Sequence, residues 1–70
     1  MLRSRVTSSS LVSVGYDPAG QVLEVEFSSG SVYQYTGVPV AVYTEFRAAS
    51  SLGSYLARRI KPHYPVHRVD

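Results

Sequence analysis

The sequence predicts an α+β fold in which a three-stranded antiparallel meander packs one face against two short C-terminal helices. Three observations support it: apolar residues alternate in three successive segments, turn sequences separate those segments, and apolar residues then recur at helical spacing. With 70 residues and no cysteine, the chain has room for one small core and no disulfide support. We therefore expect a single domain over residues 9–70. Residues 1–8 are polar and without periodicity, and are expected to form a flexible N-terminal arm.

The first two strands are predicted over residues 11–16 and 22–27, where the side chains alternate between two faces. The Asp-Pro-Ala-Gly sequence between them is typical of a type I turn, closed by Gly20 at positive φ. A four-residue loop at this point pairs Tyr16 with Gln21. This register gathers the apolar side chains of both strands on one face of the sheet.

The third strand is predicted over residues 32–35 and carries Tyr33 and Tyr35 at the spacing that places both rings on one face. The Ser-Ser-Gly turn before it predicts a three-residue loop with Gly30 at positive φ. That loop length puts the tyrosines on the apolar face, against the helices, so we interpret them chiefly as core residues. The alternative interpretation is a platform on which nucleic-acid bases stack.

Two short helices are predicted to follow. Pro39 suits the first position of a helix, and Ser50 and Ser51 interrupt the helical pattern and can cap the next helix, which Pro62 ends. Residues 63–70 are expected to be an extended tail. The apolar positions at helical spacing are Val42, Tyr43, Phe46 and Ala49 in the first helix and Leu52, Tyr55, Leu56 and Ile60 in the second.

A set of residues spread over these elements resembles a known family. The set comprises residues 9–17, 23–27, Gly30, residues 32–35, Val38, Pro39, Tyr43, Ala49, Ser51, residues 53–55, Ile60, Lys61 and Tyr64. This pattern resembles the KTSC domain, which is centred on a Tyr-x-Tyr motif, here Tyr33 and Tyr35. That domain occurs alone in small bacterial and phage proteins and at the C-terminus of some lysyl-tRNA synthetases. The resemblance implies a KTSC-like fold and RNA binding, which has been suggested for the family. The family often has an asparagine where this chain has Ala57, so any polar contact of that asparagine is absent.

Cations dominate the C-terminal third of the chain, where only Asp70 opposes them after Glu45. Binding to nucleic acid requires such cations for the phosphates and an aromatic ring for a base. We therefore expect a small non-enzymatic module that binds RNA or another nucleic acid. A solvated helix end, favoured by the helix dipole, is the simpler explanation of the same cluster. The candidate binding residues are Arg58, Arg59, Lys61, Tyr64 and Arg68, with His63 and His67 among them.

The alternative function is a protein–protein interaction module that uses the open face of the sheet or an exposed edge strand. The open-face residues of this hypothesis are Leu11, Val22, Val32 and Thr36.

Other classes of function have little support in the sequence. Glu24 and Glu26 resemble an acid–base pair but are better explained as a charged solvent face of the sheet. Pro65 lies between His63 and His67, and no third ligand completes a metal site, so neither a metal nor a cofactor is expected. No phosphate-binding glycine loop or nucleophile motif is present. No apolar run approaches the ~20 residues of a membrane span, and we expect a cytoplasmic protein.

Overall fold

The computed structural model describes all 70 residues and has an α+β fold with a five-stranded antiparallel sheet. The strands follow one another in chain order, and the helical segments lie between the fourth and the fifth. The elements are β1 Ser4–Arg5, β2 Leu11–Asp17, β3 Val22–Phe27, β4 Val32–Tyr35, α1 Val40–Ala48, α2 Leu52–Tyr55, a π-helix Leu56–Ile60 and β5 Val66–Arg68. No helix combines the length and the apolar character that crossing a bilayer requires.

The predicted α+β class is confirmed, but the prediction of three strands is wrong because a short strand is added at each edge. At one edge β1, within the segment expected to be an arm, pairs Ser4 with Val14 of β2. At the other edge β5, within the expected tail, pairs Arg68 with Tyr33 of β4. Strands of two and three residues are too short to show an alternating pattern in the sequence.

The first hairpin has the expected loop length, but its paired positions differ from the prediction. Asp17 pairs with Val22, and Gln21, not Gly20, takes positive φ (55°). Because the register is displaced by an even number of residues, the side chains from Ser13 to Phe27 keep their predicted faces. Gly20 is tightly packed instead: a Cβ there would lie 2.8 Å from Oδ2 of Asp17, whose Oδ1 accepts a hydrogen bond from the Ala19 N–H, so the Asp17 side chain would have to shift.

A β-bulge near the start of β2 moves one residue to the opposite face. Leu11 pairs with Phe27 and Ser13 with Glu26, so Val12 is an extra residue between two consecutive pairs. Leu11 therefore points into the core and is only 2% exposed. The prediction that Leu11 lies on the open face is wrong, because a bulge interrupts the alternation of side chains between the two faces of a strand.

The second hairpin is as predicted. Val25 pairs with Tyr33 and Leu23 with Tyr35, and Gly30 has a φ of 98°. Both tyrosines lie on the helix-covered face, as the turn length indicates. They differ in depth, however: Tyr35 is 3% exposed and belongs to the core, whereas Tyr33 is only half-buried and packs at its margin.

The helices close the core over this face of the sheet. Ser51 caps α2 as predicted, since its Oγ accepts a hydrogen bond from the Ser54 N–H at 3.3 Å. Gly53 fits tightly against the segment that leads into β2, because a Cβ there would lie 2.5 Å from Oγ of Ser10. The core cluster consists of Leu11, Val14, Leu23, Val25, Tyr35, Val38, Phe46, Leu56 and Ile60.

Candidate nucleic-acid interface

The open face of the sheet carries a closed polar network instead of the solvated carboxylates expected from the sequence. Glu24 is only 6% exposed and accepts hydrogen bonds from Gln34 at 2.9 Å and from Arg3 at 2.5 Å. Arg3 also donates to Ser13, whose hydroxyl donates to Glu26 at 2.8 Å. Both glutamates are therefore engaged within the molecule.

The same network sets the ionisation of Glu24. Burial alone raises the pKa of a carboxyl, but the hydrogen bonds from Gln34 and Arg3 and the charge of Arg3 outweigh it, so the pKa of Glu24 is lowered. A carboxylate that stays ionised and fully bonded is a poor general acid. The pair consequently has a structural role in holding the N-terminal segment on the sheet.

The opposite face has a groove beside the two tyrosines, which we call the tyrosine groove. It has a volume of ≈ 310 Å³ and lies between the strands and the end of the π-helix. Its floor includes an aromatic pair, since the rings of Phe27 and Tyr33 meet edge to face with centroids 5.5 Å apart. Its lining residues are Phe27, Tyr33, Tyr35, Lys61 and Val66.

Two cations lie at this groove. Lys61 follows the π-helix, and its backbone N–H donates to the Leu56 carbonyl at 2.8 Å, so the turn before it has one residue more than an α-helical turn. Arg68 is the β5 partner of Tyr33, and paired residues of antiparallel strands share a face. The groove thus combines apolar walls with a primary amine and a neighbouring guanidinium group.

The charge of Arg68 has a partner of its own. Its Nε donates to Oδ1 of Asp70 at 2.8 Å, and this hydrogen bond is the main reason that the pKa of Asp70 is lowered. Both side chains are exposed to solvent, where such pairs are weak and exchange readily. Lys61 forms no ion pair, so it is the groove's uncompensated cation.

The structure divides the predicted basic patch between two places. Lys61 lines the tyrosine groove and Arg68 pairs with Tyr33 beside it, whereas Arg58 and Arg59 line a separate concavity that shares no residue with the groove. Tyr64, expected to offer a stacking surface, is half-buried and packs against the core. No group of three or more potential metal ligands is present, and His67 pairs with Gln34, which places it on the open face.

Sequence reasoning missed two walls of the groove, Phe27 and Val66. Phe27 continues the alternation of Val25, so the sequence predicts which face of the sheet it lies on. Its ring contact with Tyr33 depends on the twist of the sheet, which the sequence does not show. Val66 could not be placed without β5, whose pairing with Tyr35 brings it to the groove.

Comparisons with known proteins relate the whole chain to one family. A family model described as KTSC domain matches residues 7–64. An uncharacterized protein of Stutzerimonas stutzeri is 49% identical over the full length of both chains. A lysine–tRNA ligase of Nostoc sp. is 43% identical over 55 residues, which are 79% of this chain and 10% of the ligase. The crystal structure of a KTSC domain protein from Yersinia pestis is 35% identical and superposes with a TM-score of 0.95 over 99% of this chain and 97% of that one.

Proposed function

We propose that this chain, which belongs to the KTSC domain family, is a small non-enzymatic module that binds single-stranded RNA at its tyrosine groove. The observation that carries the proposal is the position of Tyr33. Its ring is half-buried at the margin of the core, beside Phe27, and it faces the groove that Lys61 also lines. An aromatic ring that remains accessible next to an unpaired cation offers both parts of single-strand recognition.

The chemistry of the groove suits a base and its phosphate. A base that stacks on an exposed tyrosine contributes about 1–3 kcal/mol, and every base has a face that can stack. Lys61 lines the groove and Arg68 pairs with Tyr33, so both supply positive charge that can neutralise the phosphates next to such a base. The backbone N–H and C=O groups of β3 and β4 are already paired with neighbouring strands, so they are not available to bond a ligand at the groove. Recognition there would rely on stacking against the faces of bases.

One of the relatives supports an RNA partner. The segment shared with the Nostoc ligase places a domain of this kind inside a protein whose name includes tRNA. Such a partner also agrees with the cytoplasmic location expected from the sequence.

The test is a fluorescence anisotropy titration of labelled single-stranded RNA at two salt concentrations. We expect modest affinity that weakens as salt rises, and a salt slope reduced by about one in Lys61→Gln. Tyr33→Leu should weaken binding about tenfold, which is the loss of one stacked base. The matched control is Tyr43→Leu, because Tyr43 is also half-buried but stacks on Tyr16, at 4.4 Å between centroids, away from the groove. Absence of binding at low salt, or equal losses in the two tyrosine variants, would contradict the proposal.

A protein partner is the second candidate, and the observation that favours it is the outer strand β5. Its far edge has no neighbouring strand, and Val66 and Val69 are 44% and 43% exposed. The open-face form of this hypothesis has lost support, because Leu11 and Val32 are buried and Arg3 covers the central glutamates. Failure of RNA binding would make β5 the next surface to test.

A further inference from the structure

The link between α1 and α2, residues 49–51, lies between two polar concavities, and we call it the serine link. Ser50 lines both concavities, together with Ala49. On one side the link faces Ser54, Arg58 and Arg59, around a volume of ≈ 240 Å³. On the other side it faces the residues Arg5, Val6, Thr7, Arg47 and Leu52, around a volume of ≈ 310 Å³.

Four arginines from three different elements thus line the two concavities on either side of one short segment. Arg5 comes from β1, Arg47 from α1, and Arg58 and Arg59 from the π-helix. None of them forms an ion pair, since the chain's three ion-pair contacts involve only Arg3 and Arg68. Arg47 does have a neutral partner: it donates a hydrogen bond to the Tyr43 hydroxyl at 3.0 Å. Like charges brought together in this way repel one another, and that repulsion favours a bound anion.

No acidic residue lines either concavity. One acidic residue, Glu45, is linked to a residue of the first concavity: it accepts a hydrogen bond from the Tyr55 hydroxyl at 2.6 Å. Tyr55 stands at the wall of the first concavity, and Glu45 itself is not among the residues that line it. Ser51 Oγ accepts from the Ser54 N–H, which leaves the O–H of Ser51 able to donate.

We propose that the serine link is a phosphate-binding site, in which Arg58 and Arg59 hold a phosphate beside the serine hydroxyls of the first concavity, and Arg5 and Arg47 add positive charge from the second. Guanidinium groups bind phosphate oxygens in a bidentate manner, and serine hydroxyls add neutral donors. The phosphate can come from the backbone of a nucleic acid or from a terminal phosphomonoester. The site does not depend on the tyrosine groove, with which it shares no residue.

The direct test uses inorganic phosphate as the probe and the full chain labelled with 15N. At constant ionic strength, phosphate in place of chloride should cause saturable shifts of the amide signals of Ser50, Ser51 and Ser54. Arg58→Gln/Arg59→Gln should weaken this binding about tenfold or more, because hydrogen bonds to charged groups are lost. The matched control, Lys61→Gln/Arg68→Gln, removes the same charge at the tyrosine groove and should leave the binding unchanged.

The outcomes separate a built site from general attraction. Equal losses in the two double variants, or shifts no larger than chloride causes, would overturn the proposal.

Two oligonucleotides of one sequence, with a 5′-phosphate and with a 5′-hydroxyl, then identify the source of the phosphate. Equal shifts at the serine link indicate a backbone phosphate, and shifts with the phosphorylated strand alone indicate a terminal one. Phosphate binding at the serine link without RNA binding at the groove would support the site and reject the proposed function. RNA binding at the groove without phosphate binding at the serine link would support the proposed function and reject the site.

Discussion

On the open face of the sheet, Arg3 contacts Glu24 and Glu26, so the charges are neutralised within the molecule. On the helix-covered face, Lys61 has no acidic partner and lies beside Tyr33 and Tyr35 at the margin of the core. The two faces of the same three strands therefore use polar groups differently. Charges that are paired and buried hold the fold together, whereas a charge left unpaired beside an accessible ring is free to meet a ligand.

The strongest way to sharpen this comparison is to separate the two tyrosines. Tyr35→Ala should lower the free energy of unfolding by about 3–5 kcal/mol, the range for large aromatic truncations in a core. Tyr33→Ala should cost clearly less, because its ring is half-exposed to solvent. Urea denaturation of both variants measures the difference. Equal losses would mean that the two rings have the same structural role.

The sequence predicts the shared face of the two tyrosines but not their different burial. The Ser-Ser-Gly turn and the alternation in residues 22–27 and 32–35 are local, so they predict the register and the shared face of Tyr33 and Tyr35 correctly. Local patterns do not specify β1, β5 or the bulge at Val12, because each depends on pairing with a distant strand.

The same limit applies to the candidate sites. The basic composition of the C-terminal third is visible in the sequence, but its division between two concavities is not. Lys61 follows a π-helix, which the helical spacing in the sequence does not predict, and the position of Val66 requires β5. The contribution of Arg5 to the serine link requires β1, which a polar serine-rich segment does not predict.

The next largest effect should come from the open face. Arg3→Ala removes the donor to Glu24 and Ser13 and should destabilise the fold by about 1–3 kcal/mol, the cost of leaving a buried polar group without a partner. The matched control is Arg5→Ala, since Arg5 is on the same short strand but has no ion pair. Thermal melts of the two variants that coincide would show that the network on the open face is dispensable.

The register that keeps the two faces apart can be tested at Gly30. Gly30→Ala should cost about 1 kcal/mol, because a residue with a Cβ is strained at a φ of 98° even though no atom lies within 4 Å of that Cβ. Ser29→Ala in the same turn should be close to neutral. Denaturation midpoints that fell equally in both would remove the conformational explanation.

A smaller effect is expected from pH. The pKa of Glu24 is lowered in the folded state from an ordinary value of 4.5, so its ionised form adds stability above that pH. This contribution should be lost as the pH falls below 4.5 towards the folded-state pKa. Urea midpoints of wild type and Glu24→Gln, measured from pH 7 to pH 3, should therefore converge on acidification. A gap that stayed constant or widened would contradict the assignment.

The measurement that tests the contrast between the faces most directly is an NMR titration of the 15N-labelled chain with single-stranded RNA at low salt. We predict that the amides of Phe27, Tyr33, Lys61 and Val66 shift as the strand binds, while those of Glu24 and Gln34 on the open face stay in place. Shifts centred on Glu24 and Gln34, or no shifts at the tyrosine groove at any RNA concentration, would contradict the account.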